Sequence, residues 1–206
     1  MLNWLGENSG ALNVAINLAM LVVWFVYLQL FLMAYLRQRK PKILINRGAG
    51  VGMNAHCLVS NMSQEPIYVQ SILGILKTDD KSWMMAVTDV EGLDENKPRS
   101  KEATNQGPLC QGDHMDIGTL GSLIERTRRC TELPDMDTPP SDVFKEFELI
   151  VVAAHSSEAL TIGAKRTFRF KPDTPGDNIV PATIETEQIS AMWERRRVQR
   201  LLKQNL

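Results

Sequence analysis

The residue types able to do chemistry are few in this chain of 206 residues: three histidines, three cysteines and one short acidic cluster. His56, His114 and His155 fall in unrelated segments with no metal-ligand spacing around them. Asp113-His114-Met115-Asp116 is the densest group of candidate acids, bases or ligands. In a strand His114 and Asp116 would share one face while Asp113 pointed away, leaving a His–Asp pair and no nucleophile. A surface or structural role is therefore expected of this cluster, and the chain is not expected to be an enzyme.

Cys57, Cys110 and Cys130 are odd in number and form no C-x-x-C pair, which predicts reduced thiols rather than a disulfide scaffold or zinc site. Cys57 lies in an apolar stretch and reads as a small core residue. Cys130, beside Arg128 and Arg129, is the thiol whose surroundings would lower its pKa. Gly48-Ala49-Gly50-Val51-Gly52 suggests a loop whose backbone amides cradle phosphate, with Arg47 as an anion contact. However, the sixth position of a dinucleotide fingerprint is Met53 and a strand pattern follows, so a plain glycine turn is expected. Asn61-Met62-Ser63 matches a glycosylation sequon. No cofactor and no metal are expected, and a formal net charge of -1 argues against nucleic acid as a partner.

These groups must be positioned by elements that the hydropathy pattern delimits. Residues 12–36 carry no charge, and about 20 helical residues suffice to cross a hydrocarbon core of roughly 30 Å. A cleaved signal peptide would open with basic residues, but residues 1–10 contain Glu7 and no Lys or Arg. Arg37, Arg39, Lys40 and Lys42 follow the span directly. The positive-inside rule then predicts a single-pass protein of an inner or plasma membrane, amino terminus outside and carboxyl-terminal domain cytoplasmic. That topology hides the sequon from the glycosylation machinery. Trp4 and Tyr35 would anchor the two interfaces. The expected organisation is an amino-terminal segment (1–10), a transmembrane helix (11–37), a β-sandwich domain (38–171), a linker (172–184) and a basic helix (185–206).

Within the span, Asn13 and Asn17 lie one turn apart, and Met20, Trp24, Tyr27, Phe31 and Tyr35 continue roughly the same face. Ala11, Ala15 and Ala19 form a second stripe of small side chains. Amides in hydrocarbon need partners and small residues let helices approach, so Ala11, Ala15, Ala19, Asn13, Asn17, Trp24 and Tyr27 are the expected helix–helix contacts. Alternatively, Asn13 and Asn17 sit near water at the outer interface.

After the anchor, residues 42–46, 55–61, 67–77, 82–87 and 144–154 read as strands, and 108–119 as a return to the sheet. The continuous apolar run in 144–154 predicts a central strand buried on both faces. Residues 160–170 alternate instead, with Leu160, Ile162, Ala164, Phe168 and Phe170 on one side and Thr161, Lys165, Thr167, Arg169 and Lys171 on the other. That basic row is expected to be a solvated outer face. Residues 120–130 suit a short amphipathic helix, with Leu120, Leu123, Ile124 and Thr127 inward and Glu125, Arg128 and Arg129 elsewhere. Residues 89–107 and 131–141 read as loops. The run from Val59 to Ile72, V-S-N-M-S-Q-E-P-I-Y-V-Q-S-I, resembles the second and third strands of immunoglobulin-like sandwiches, which implies a fold and no activity. The layout as a whole is similar to uncharacterised bacterial single-span membrane proteins with an anchor and a β-domain.

The carboxyl-terminal segment gathers Arg195, Arg196, Arg197, Arg200 and Lys203 on a predicted helix. Its apolar residues fall in two patches, Ile189, Met192 and Trp193 in one and Val198, Leu201, Leu202 and Leu206 in the other. Trp193, Arg196, Arg197, Arg200 and Leu201 are the expected contacts with a partner chain or with anionic lipid; RNA is a third alternative. The expected function is a single-span anchored binding or assembly module, a scaffold or accessory subunit that meets the bilayer and other membrane-protein chains. The alternative is a homo-oligomeric pore lined by the polar residues of the span.

Overall fold

The computed structural model describes residues 9–38, 40–88, 104–129, 138–156, 160–171 and 179–204, with the side chains of 38 and 201–204 set aside. The readings placed on Trp4, Glu7, Arg39, Cys130 and Leu206, on 89–103, on 131–137 and on most of the linker lie outside these residues. The chain divides into two compact units, Met1–Lys40 and Pro41–Leu206.

The first unit contains helix α1, Ser9–Gln38. Its leucines, alanines and methionines are good helix formers, and the interior from 11 onward contains neither Gly nor Pro. Pro41, beyond its end, cannot continue the hydrogen-bond ladder. Thirty residues at about 1.5 Å each reach about 45 Å. By length and composition α1 can cross a membrane or serve as a signal sequence. The side chains from Ser9 to Arg37 are exposed throughout, and the aromatic face is self-contacting: Trp24 meets Tyr27 edge-on at 6.2 Å and Phe31 stacks on Tyr35 at 6.5 Å.

The second unit combines two antiparallel sheets with short helices, a sandwich-like arrangement. The smaller sheet has the order β1-β2-β6, from β1 (Ile43–Arg47), β2 (His56–Asn61) and β6 (His114–Thr119). The larger is built on three long neighbours, β8 (Ile162–Phe170), β7 (Glu146–His155) and β3 (Ile67–Lys77). On the outer edge of β3, β4 (Ser82–Ala86) and β5 (Gly107–Leu109) pair at different registers. On the outer edge of β8, β10 (Glu187–Ile189) and β9 (Ile179–Pro181) do the same.

The period-two pattern of each strand sends alternate side chains into a common core. Ile43, Ile45, Cys57 and Val59 of the small sheet belong to the same buried cluster as Ile67, Val69, Phe147, Val151 and Phe168 of the large one. Helix α2 (Leu120–Arg128) adds Leu120, Leu123 and Ile124 to it, its first turn capped by Thr119, whose hydroxyl accepts from the Ser122 N–H. Helix α2 crosses β3 at Gly74, where a β-carbon would lie 2.2 Å from Thr127 Oγ1, so only hydrogen fits. A one-turn helix, α3 (Pro140–Val143), precedes β7. On the other face of the large sheet, Leu73, Ile150, Val152 and Ile189 bury Val198 of helix α4 (Met192–Gln204). Strand β7 is thus covered on both sides, which is why its sequence is continuously apolar.

Two sequence-based boundaries require correction. Residues 179–181 were read as linker and form β9; the helix expected over 185–206 begins only at Met192, because 187–189 are held as β10 by pairing with β8. Arg128, read as lying off the apolar face of α2, is 2 % exposed, so the last turn of that helix buries a cation.

Candidate functional site

The His–Asp arrangement differs from the expected one. His114 and Asp116 do lie on one face of β6, but Asp116 pairs with His56 of β2, its Oδ2 2.6 Å from Nδ1, and both side chains are nearly half exposed. The second carboxylate oxygen of Asp116 accepts from the Gly118 N–H at 2.9 Å. Among the described residues no group of three His, Cys, Asp or Glu is placed to hold a metal ion. His155 is buried, its Nε2 3.8 Å from Glu65 Oε2.

The glycine segment is tied by backbone hydrogen bonds to the start of β2. The Gly48 N–H donates to His56 O at 2.7 Å, the His56 N–H donates to Ala49 O at 2.9 Å, and a 3-10 turn (Gly52–Asn54) follows. Gly50 (φ 99°) and Gly52 (φ 57°) take left-handed conformations that other residues resist. A β-carbon at Gly50 would also lie 2.4 Å from Asn54 O. Glycine geometry thus shapes the turn between β1 and β2.

The exposed row on β8 is matched by acids on its neighbours. Lys165 meets Glu187 of β10 at 3.0 Å and Arg169 meets Glu146 of β7 at 3.3 Å, while Lys77 pairs with Glu148 one strand further on. The hydrogen bond that Lys165 donates to Glu187 raises the Lys165 pKa above its ordinary value against the opposing effect of burial. Cys57 is fully buried, and burial pushes its thiol up to about 12, which makes it an inert core residue at neutral pH.

Three polar residues to which the sequence reading gave no role organise the free edge of β1. Gln188 accepts from the Ile43 N–H at 3.0 Å and donates back to Ile43 O at 2.6 Å. Thr186 repeats the pattern two residues on, accepting from the Ile45 N–H at 3.0 Å and donating to Ile45 O at 3.1 Å. Arg166 projects inward from β8, donates to the same Ile45 carbonyl and to Asn46 Oδ1 at 2.9 Å, and stands 5.9 Å from the Phe168 ring. Burial lowers the pKa of its guanidinium; Cys57 opposes that shift and Arg47 adds to it. Side chains thereby stand in for a missing neighbour strand, and the edge offers little to an incoming one. Arg166 shares the parity of Ile162, Ala164 and Phe168 along β8, and that alternation was the available signal for it.

The remaining surface of note is helix α4. Arg195 Nε donates to Ile189 O at 3.3 Å, so it turns toward the domain together with buried Val198, and Glu194 is half-buried. Met192 and Trp193, 60 % and 66 % exposed, share the opposite side with exposed Arg196, Arg197 and Arg200. At about 100° per residue these five positions span about 140° of arc, with Val198 nearly opposite its centre. The two apolar patches of the sequence are therefore separated, Val198 facing the sheet and Met192 and Trp193 facing out. Leu201 continues the helix backbone, but its side chain lies outside the description. On α1, Ala11, Ala15, Ala19, Asn13, Asn17, Trp24 and Tyr27 are all exposed.

No protein-family model, curated protein or solved structure matches this chain.

Proposed function

We propose that the protein is a single-span, membrane-anchored binding or assembly module that holds its β-domain at the cytoplasmic surface. The carrying observation is α1: from Ser9 to Arg37 its apolar side chains are exposed in the isolated chain. Lipid or neighbouring helices are the environments that cover such a surface. Arg37, Lys40 and Lys42 after the span support an amino-terminus-out orientation. Ala11, Ala15 and Ala19, with Asn13 and Asn17, are the contacts through which spans associate in this reading, with a second copy or with subunits of a larger complex. The corner between β2 and β3 supports the immunoglobulin-like reading: Asn61 ends the strand, its amide donates to Glu65 O and Leu109 O, and its carbonyl accepts from the Ser63 N–H.

The test uses the full chain in native membranes. Resistance to alkaline extraction, a cytoplasmic reporter signal from a fusion at Leu206, and crosslinks from cysteines placed at Ala15 and Ala19 are the expected results. A chain that washes off at alkaline pH, a reporter accessible from outside, or a strictly monomeric species without a co-purifying chain would overturn the proposal.

A further inference from the structure

We infer that the outward face of α4, formed by Met192, Trp193, Arg196, Arg197 and Arg200, docks on the anionic phospholipid surface of the membrane to which the chain is anchored.

Read as a sequence, the terminal helix has two apolar patches that rotate away from each other, a pattern poorly suited to lying on lipid. The structure removes that objection. Val198 is taken up by Leu73, Ile150, Val152 and Ile189 of the domain's own sheet, which fixes which side of α4 looks outward. On that side two large apolar side chains lie beside three arginines. Among the described residues none of the three has a carboxylate within ion-pair distance, whereas Lys165, Arg169 and Lys77 on the sheet below all do. The acid of this part of the helix, Glu194, is half-buried and lies off this arc.

Among the described residues, Lys165, Arg169 and Lys77 of the outer sheet face are paired with acids, while Arg196, Arg197 and Arg200 of α4 meet none. Tryptophan and methionine flanking guanidinium groups match a headgroup layer, where the ring and thioether enter the acyl boundary and the arginines meet phosphate. The occupant is identified by charge complementarity together with the apolar helix α1, which in the proposed function keeps the domain next to lipid. The inference rests on the anchored reading.

The experiment reconstitutes the full chain, one copy per disc, in nanodiscs of phosphatidylcholine with or without phosphatidylglycerol, each including chain-brominated lipid. Quenching of Trp193 is taken as the difference between the wild type and Trp193→Phe, which cancels the other tryptophans. Strong quenching in the anionic discs, weak quenching in the zwitterionic ones, and loss of the difference at high salt are expected. Each basic residue at an anionic surface strengthens attachment about five-fold, so Arg196→Gln/Arg197→Gln/Arg200→Gln should weaken it roughly a hundred-fold and reduce quenching to the zwitterionic level. Since these side chains are exposed, the triple variant should keep the wild-type circular dichroism spectrum. Equal quenching in the two kinds of disc overturns the inference, as does shielding of Trp193 that requires two copies per disc, which would make the face a contact between chains. A chain that fails to enter discs at all would instead refute the anchored reading, so the two failures are distinct.

Discussion

Replacing Gln188 by alanine deletes both partners of the Ile43 backbone on the edge of β1. Ile43 is 1 % exposed, and its N–H and C=O are held by one amide at 3.0 Å and 2.6 Å. A buried donor or acceptor left without a partner costs about 1–3 kcal/mol. Gln188 itself is half-buried, so water reaches part of the gap and two orphaned groups should cost about 2–3 kcal/mol together. For a domain of this size that is a fall in Tm of roughly 5–10 °C. Gln188→Met separates hydrogen bonding from packing, because it keeps most of the side-chain volume and should lose nearly as much stability. Thr186→Val, which orphans the Ile45 N–H while the Ile45 carbonyl keeps Arg166, should cost less, about 1–2 kcal/mol. Urea titration of the full chain in detergent, followed by far-ultraviolet circular dichroism, measures each value. The double variant should also aggregate faster, since it exposes an unpaired strand edge. If Gln188→Ala and Gln188→Met both stay within about 0.5 kcal/mol of wild type, the value typical of plain surface substitutions, the edge-sealing argument is refuted.

Gly74→Ala should destabilise the domain by about 2–3 kcal/mol through overpacking, since its β-carbon would lie 2.2 Å from Thr127 Oγ1; adding Thr127→Ala should recover part of that, and strict additivity of the two changes would count against the close approach. Asn61→Ala removes a fully buried amide with three hydrogen bonds and should cost about 3 kcal/mol in the same titration, whereas a loss under about 1 kcal/mol would show the β2–β3 turn to be held otherwise. Cys57 gives a pH signature: its thiol pKa rises from 9.0 to about 12 on folding, so the unfolded chain loses its proton first. Its contribution is intact below pH 9.0 and is lost as pH rises toward 12. Subtracting the Cys57→Ala profile from that of the wild type should isolate a one-proton slope in this window, and identical slopes would remove the assignment. In the folded protein at neutral pH a maleimide should label exposed Cys110 and spare Cys57.

Much of the architecture was legible because long elements carry strong periodicity. The uncharged run at 12–36 lies inside α1, the strand read at 67–77 matches β3 residue for residue, and the alternation across 160–170 sorted the two faces of β8 correctly. Glycine spacing likewise identified the turn after β1. The misreadings have a common cause. Strands of three residues, such as β9 and β10, are too short to show a period, and their conformation is imposed by β8 rather than by their own sequence. Polarity places Arg128 off the apolar face and leaves Arg166 without a role, yet both are buried, and Arg166 finds oxygen acceptors in β1 and Ile184. His56 and Asp116 are 60 residues apart, a separation that local spacing cannot bridge. The outward side of α4 needed the position of Val198, which is known only once the sheet beneath it is known.

The closing of β1 by Thr186 and Gln188 also sets a timetable. These hydrogen bonds join residues 141 and 145 positions apart, so on a ribosome the strand that emerges soon after α1 must wait for nearly the whole domain to be translated before its exposed rim is shut. Contacts this remote form late and slow the search for the native state. During that interval the nascent chain carries an open margin, and a holding factor acting at this stage would need to recognise β1 rather than α1.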